Sequence, residues 1–432
     1  MRLTIEAFAE GSWGRAGELH LTAPDEGPGG ASHFEYDLGW LTRWIAEDAP
    51  YASVSLTFPV QAGPLMSQRW PAFLDDLRPM GSAHRWWLKR LNLPSSPSSE
   101  TEVLRRGTIA PIGNLRIAEA VPPKREPPPR FGRRALIERE SDFLQWAAEH
   151  GAQVGGATGA GGESPKVLVR CDAEDRVWID VWQDEPDLPD RHYLVKFARG
   201  ATERDRTVLR SEHVYYRALQ ALGVETIPTD GMALEEGPNG PSLWLPRFDV
   251  TRREGRTVLW GMESMYSLVG AEPGAWLSHQ RVLKALREHF DRKPWAGVVL
   301  EYVRRDLLNL VFGNSDNHGR NTAVLRTENE VRLAPVFDFA PMKMDLEGVT
   351  RTTRWEGLER GGEVSWRELL AMLEEEFGVE ESYLREGLRE LAEKLRDLAD
   401  LLTSLGLPEE TLNFPALDLA GTERKLRAWT IL

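Results

Sequence analysis

The sequence predicts an α+β fold in two lobes, the second mainly helical, behind a small N-terminal α/β domain. Three observations predict it. A strand-like segment with a lysine among β-formers, His192 to Phe197, precedes a helix that carries Glu212. An apolar, helix-like run gives way to the polar stretch GNSDNHGRN, Gly313 to Asn321, and then to two short strand-like segments. From Glu381 to Leu405, leucines recur at helical spacing, as at Leu384, Leu388, Leu391, Leu395, Leu398 and Leu402, which reads as core packing.

The 432 residues suit about two or three domains, and 41% hydrophobic content is enough for substantial cores. Met1 to Glu10 alternates like a strand without a signal-peptide core, and no apolar run nears the ~18 residues of a membrane span. A cytoplasmic protein without membrane contact is expected. The single cysteine, Cys171, excludes an intramolecular disulfide and a Cys-rich zinc pattern, and reads as a small apolar filler or a strand residue. A net charge of -14 argues against direct nucleic-acid binding, because phosphate backbones would repel the chain. The local exception is Lys124-Arg125, Arg130 and Arg133-Arg134 around the proline-rich stretch Val121 to Pro129. That stretch reads as a stiff exposed linker first and as a patch for an acidic partner second. Trp70, Trp86, Trp87, Trp276, Trp295 and Trp355 are expected in cores.

In the second half, Tyr302-Val303, Leu307-Leu308 and Leu310-Val311-Phe312 read as a buried helix stopped by Gly313. Thr322 to Leu325 and Val331 to Ala334 read as strands joined by the turn Thr327 to Glu330, and VFDFAP, Val336 to Pro341, follows. The hairpin would bring Asn321 and Asp338 together at its open end. A hydroxyl attacking a γ-phosphate needs a carboxylate to orient it and accept its proton, while Mg²⁺ needs converging oxygen ligands. Asp316 suits the first task; Asn321 and Asp338 suit the second. An aspartate with an asparagine five positions on is weak evidence alone, since both residues commonly cap turns. The ordered combination carries the inference. His318 is expected to hydrogen-bond a loop carbonyl and fix the loop's shape, because phosphoryl transfer requires no histidine base.

In the first half, Lys196 on its strand suits the α- and β-phosphates of ATP. Ser211 to Leu219 reads as a helix with Ser211 near its start, and Glu212 could hold the lysine in place. An edge-strand lysine and an exposed helical glutamate are the plainer alternative. The glycine-rich run Gly155 to Lys166 precedes the strand Val167 to Arg170. Backbone N–H groups at Gly161 and Gly162 could approach phosphate oxygens, and Lys166 adds a point charge. A flexible linker remains the alternative there. ATP and Mg²⁺ are thus the expected ligands of a bilobal, protein-kinase-like fold.

The order of GGESPK, LVKF, SEH, LWLPRFDV, GNSDNHGRN and LAPVFDF resembles the HipA-like serine/threonine kinases, the toxin halves of bacterial toxin-antitoxin pairs. The resemblance implies Asp316 as catalytic aspartate, Asn321 and Asp338 as magnesium ligands and Lys196 as the ATP-contacting lysine. It makes Pro246-Arg247-Phe248 the hinge beside adenine; Pro246 lacks an N–H, so the donor comes from Arg247 or Phe248. Phe34 to Leu41 and Pro71 to Gly81 resemble the family's accessory domain, although Arg78-Pro79-Met80-Gly81 departs from the usual Leu-Pro-Glu-Gly. Residues 1–118 are then the accessory domain, 119–135 the linker, 136–250 the nucleotide-binding lobe and 251–432 the catalytic lobe.

Family members autophosphorylate a serine in the glycine-rich loop, and the equivalent place here is Gly159. Thr158 and Ser164 are the nearby candidates. The resemblance further implies an aminoacyl-tRNA synthetase as protein substrate, growth arrest as outcome, and a helix-turn-helix antitoxin as the DNA-binding partner. The alternatives are a non-catalytic nucleotide-binding scaffold that holds an antitoxin, and a small-molecule kinase.

Overall fold

A computed structural model of the chain describes residues 1–109, 111–122, 129–140, 164–179, 188–290 and 295–432. They form two compact units. The first comprises Met1–Arg199, Asp230–Pro273 and Ala323–Ala334; the second comprises Gly200–Thr229, Gly274–Thr322 and Pro335–Leu432.

The first unit begins with an antiparallel sheet in the order β4-β3-β2-β1-β5, built from β1 (Arg2–Ala9), β2 (Ser12–Leu21), β3 (Ser32–Tyr36), β4 (Leu65–Ser67) and β5 (Leu115–Ile117). The alternation seen in the sequence buries Leu3, Ile5 and Ala7 completely, in one core with Leu19, Phe34, Trp70 and Ile117. A second antiparallel sheet has the order β10-β11-β9-β7-β8-β6. Its strands are β6 (Phe131–Gly132), β7 (Lys166–Cys171), β8 (Arg176–Ile179), β9 (Arg191–Phe197), β10 (Ala233–Gly237) and β11 (Gly240–Pro246). Cys171 closes β7, and burial pushes its thiol up to about 11, which suits an inert filler. Lys124-Arg125 lie outside the described residues, while Arg130, Arg133 and Arg134 are engaged within the fold. They pair with Asp172 at 2.5 Å, Glu235 at 3.0 Å and Glu138 at 2.5 Å.

The expected hairpin is present: Ala323–Arg326 pairs with Val331–Leu333, and Gly261–Ser264 adds a third strand beside it. Thr327 shapes the turn, its N–H donating to Glu330 O at 2.9 Å and its hydroxyl accepting the Glu330 N–H at 3.2 Å. Buried Glu263 ties this small sheet to the Ser55-Leu56 segment that precedes β4. Its carboxylate accepts from Ser55 Oγ at 2.6 Å, Leu56 N–H at 2.9 Å and Ser267 Oγ at 2.8 Å.

The second unit is mainly helical. The leucine stripe is core as expected, with Leu384, Leu388, Leu391, Leu395, Leu398 and Leu402 buried, but it spans two helices, Glu381–Leu395 and Leu398–Ser404. The helix bearing Glu212 runs Glu203–Ala221, so Ser211 is interior rather than near the start. Thr202 caps it, because its side chain accepts the Asp205 N–H while Asp205 accepts the Thr202 N–H, a reciprocal capping box. Ser211 Oγ instead donates back to Thr207 O at 2.7 Å. Trp70, Trp87 and Trp355 are buried, Trp86 and Trp295 are half-buried, and Trp276 is 61% exposed, against the expectation of a core residue. No helix among the described residues is long and apolar enough to cross a membrane.

A buried polar knot ties the Trp295–Phe312 helix to the Arg351–Trp355 segment. Asp306 accepts from Arg351 Nη2 at 2.9 Å and from Trp355 Nε1 at 2.9 Å. His279 Nε2 lies 3.5 Å from Asp306, and its Nδ1 is 2.8 Å from Tyr302 Oη. Burial pushes the His279 imidazole down from 6.5 to about 4, with Asp306 opposing that shift. An unfolded chain therefore binds more protons than the folded one between those values. His279's contribution is complete above pH 6.5 and is lost as pH falls through about 4. Denaturant unfolding across that window should lose stability by at most roughly 1.4 kcal/mol per pH unit on this account. The His279→Gln variant should show a shallower slope; equal slopes would remove His279 as the cause.

Candidate active site

The Trp295–Phe312 helix ends at Gly313, whose φ of 70° is the left-handed stop that glycine adopts without steric cost. A Cβ there would lie 2.3 Å from Leu417 Cδ2. The following loop folds on its own side chains. Asn314 N–H donates to Asn309 O at 2.9 Å, and Asp316 N–H donates to Asn314 Oδ1 at 3.3 Å. Asn317 Nδ2 donates to Thr353 O at 2.7 Å, while its Oδ1 accepts the Thr352 and Thr353 N–H groups at 3.1 and 3.3 Å. Asn321 N–H donates to His318 O at 2.9 Å, and Asn321 Nδ2 donates to Asp316 O at 2.8 Å. Within this frame the Asp316 side chain stays 23% exposed.

His318 shapes the loop, but through a different bond from the one expected. Its Nδ1 accepts the Arg320 N–H at 3.3 Å. The ring proton is thereby left on Nε2, 3.6 Å from Asp316 Oδ1.

Asp338 sits at φ 52°, a left-handed conformation that aspartate tolerates better than most residues. The strand before it is fixed by Val336, whose N–H donates to Glu225 O at 2.9 Å and whose carbonyl accepts from Ile227 N–H and Thr226 Oγ1 at 3.2 and 2.9 Å. The residue after it, Phe339, packs edge-on against Phe312 with centroids 5.3 Å apart. Tyr216 completes the arrangement. Its hydroxyl donates to Glu212 Oε1 at 2.8 Å and accepts the Phe339 N–H at 3.3 Å. Burial, then the charges of Glu212 and Asp338, raise the Tyr216 pKa well above its ordinary value.

One atom bears directly on a metal. Asn321 Oδ1 is buried with no hydrogen-bond partner, although the same amide is oriented by its Nδ2 bond to Asp316 O. An oriented amide oxygen without a partner is a ready cation ligand, and a hard ion such as Mg²⁺ takes one or two protein oxygens while keeping waters and phosphate oxygens. Among the described residues no group of three or more His, Cys, Asp or Glu side chains is placed to hold a metal. An amide-plus-carboxylate pair fits Mg²⁺ within that limit.

In the first unit, Lys166 and Lys196 are directly opposed across β7 and β9, and both are buried. Opposed positions share one face of a sheet, so the two ammonium stems run on the same side. Arg247 differs from its expected role: its N–H donates to His192 O at 3.0 Å, extending the β9–β11 ladder, and its guanidinium pairs with Asp249 at 2.6 Å. Register has consumed that donor. Ser164 is half-buried just before β7. Thr158, Gly161 and Gly162 lie outside the described residues.

A family model described as the HipA-like C-terminal domain matches residues 158–399, and one described as the HipA N-terminal domain matches residues 12–118. The chain belongs to the HipA-like family. Its fold is accordingly the α+β HipA type, with a small N-terminal domain. Among solved structures it is similar to HipA of Shewanella oneidensis MR-1, from a toxin-antitoxin complex with HipB and operator DNA, over 99% of this chain and 96% of that chain. The TM-score is 0.67 at 16% identity. The Helicobacter pylori proinflammatory kinase CtkA is a weaker likeness, with TM-score 0.41 and 14% identity over 63% of this chain and 91% of that one. No curated protein sequence matches.

Two residues of this HipA-like site escaped the sequence reading. Tyr216 stands one helical turn after Glu212, a spacing that puts both on one helix face. Asn317 sits inside the polar stretch but carries no signal that separates it from a turn cap. The Tyr216→Phe variant keeps the ring and removes the hydroxyl, leaving buried Glu212 and the Phe339 N–H one partner short. It should destabilise by about 1–3 kcal/mol in denaturant unfolding; a wild-type midpoint would dismiss the bridge.

Proposed function

We propose that the protein is a Mg²⁺- and ATP-dependent protein kinase that transfers the γ-phosphate to a serine or threonine hydroxyl. The observation that carries this reading is the oriented, partnerless Asn321 Oδ1, fastened to the same loop whose Asp316 side chain is partly exposed. Asp316 orients the acceptor hydroxyl and takes its proton. Asn321 and Asp338 would hold Mg²⁺, which when bound neutralises charge building on the phosphates. Lys196, and Lys166 with the backbone of Gly161 and Gly162, receive the phosphate oxygens. The Phe248 N–H and the Pro246 carbonyl meet the adenine edge.

The family supports the biological setting. HipA of Shewanella oneidensis was solved with HipB and operator DNA, and a DNA-binding antitoxin is the proposed partner here, with an aminoacyl-tRNA synthetase as proposed substrate and growth arrest as outcome. Thr158 or Ser164 is the proposed site of autophosphorylation, where nearly two negative charges beside ATP would disfavour nucleotide binding. Mass spectrometry after incubation with Mg²⁺ and ATP should find phosphate on one of them; an active enzyme unmodified at both excludes them.

Asp316→Asn should lower magnesium-dependent turnover of ATP by about 100-fold or more, the scale of a lost general base, while Mg²⁺-ATP binding by calorimetry persists. Asn321→Ala should raise the Mg²⁺ concentration for half-maximal rate about tenfold. Expression of wild type but not of Asp316→Asn should arrest growth. Equal behaviour of the two would favour a non-catalytic scaffold.

A further inference from the structure

Trp276 is 61% exposed, and the Arg354 guanidinium lies over its ring, 4.4 Å from the centroid. Arg354 Nε donates to Arg351 O at 2.9 Å. No carboxylate among the described residues pairs with its terminal amino groups. In a chain with 67 acidic and 53 basic residues, a cation left unpaired amid that acidic excess is available to an anion from outside. The indole below and the Nε bond to Arg351 O restrain the guanidinium, and a restrained guanidinium is a good partner for a carboxylate, which it can bind through two parallel N–H donors.

This pair is tied to the catalytic loop. Leu277–Ser278, next to Trp276, pairs in parallel with Thr353–Arg354, and Leu277 N–H donates to Thr352 O at 3.0 Å. Asn317, next to Asp316, clamps the Thr352 and Thr353 backbone by the three bonds given above. Around that joint, Ser315 Oγ, Thr352 Oγ1 and Thr353 Oγ1 are buried without partners.

Resting on the kinase reading, we infer that Arg354 and Trp276 are the docking point for the acceptor protein, and that they select a segment with Asp or Glu flanking its serine or threonine. The acidic chain as a whole repels such a segment, and Arg354 supplies the local attraction that admits it. A basic segment meets the same guanidinium as a repulsion, which sharpens the choice.

The test uses serine-centred peptides flanked by Glu, by Ala or by Lys, read by transfer from γ-labelled ATP and by fluorescence anisotropy of the labelled peptides. Wild-type protein should favour the Glu-flanked over the Lys-flanked peptide by about tenfold in kcat/KM, mainly through KM. Arg354→Glu should reverse that order, and Trp276→Ala should shrink it severalfold. A wild type without the preference, or a preference that survives Arg354→Glu, overturns the inference. Magnesium-dependent ATP turnover with none of the peptides bound or labelled also overturns it and leaves the kinase reading standing. Absence of any such turnover defeats the kinase reading instead, while anisotropy still reports the Glu-to-Lys ratio and its reversal.

Discussion

Tyr216 lies fully inside the second unit, its hydroxyl set between the carboxylate of Glu212 and the N–H of Phe339. Burial with two negative charges nearby keeps the phenol protonated, so it can donate to one neighbour and accept from the other at once. Neither a phenolate nor a phenylalanine could do both. The position of Phe339 then decides that of Asp338 before it, and Phe339 shares an aromatic floor with Phe312, the last residue of the helix that delivers Asp316. Tyr215 closes the floor by donating to Phe312 O at 3.0 Å. The carboxylates at 316 and 338 therefore rest on one rigid contact instead of on two independent loops.

The asparagines of the Gly313–Asn321 loop divide three tasks. Asn314 secures the helix end, Asn317 clamps a distant backbone segment, and Asn321 binds its own loop back to Asp316. Among the side-chain atoms of these three amides, Asn321 Oδ1 is the one buried without a partner. A buried acceptor without a partner costs about 1–3 kcal/mol, and the left-handed Asp338 adds a further cost of about 1–3 kcal/mol. A fold retains such penalties where a ligand can relieve them.

Much of this was legible in the sequence because local chemistry decides it. The Gly313 stop follows from a conformation that only glycine adopts cheaply, and the hairpin from a threonine-led polar turn between β-formers. The leucine stripe follows from helical period alone. What was misread depended on competition or register. Ser211 and Thr202 are equally good caps by residue type, and only the reciprocal bond with Asp205 favours Thr202. Arg247's N–H looks available in sequence, but the ladder extends to His192 and takes it. Trp276 has the composition of a core residue, and nothing local in the sequence signals that it stays exposed with a distant arginine over its ring.

Charge placement gives the chain's cations different duties. Arg130, Arg133 and Arg351 sit in ion pairs that hold strands and segments in place. Lys166 and Lys196 are opposed on one face of a sheet and both buried, so their stems are held by the sheet itself. In the proposed reading the nucleotide's phosphates lie against that face, and two side chains already held in place lose little freedom on meeting an anion, which favours binding over the same charges on flexible surface stems.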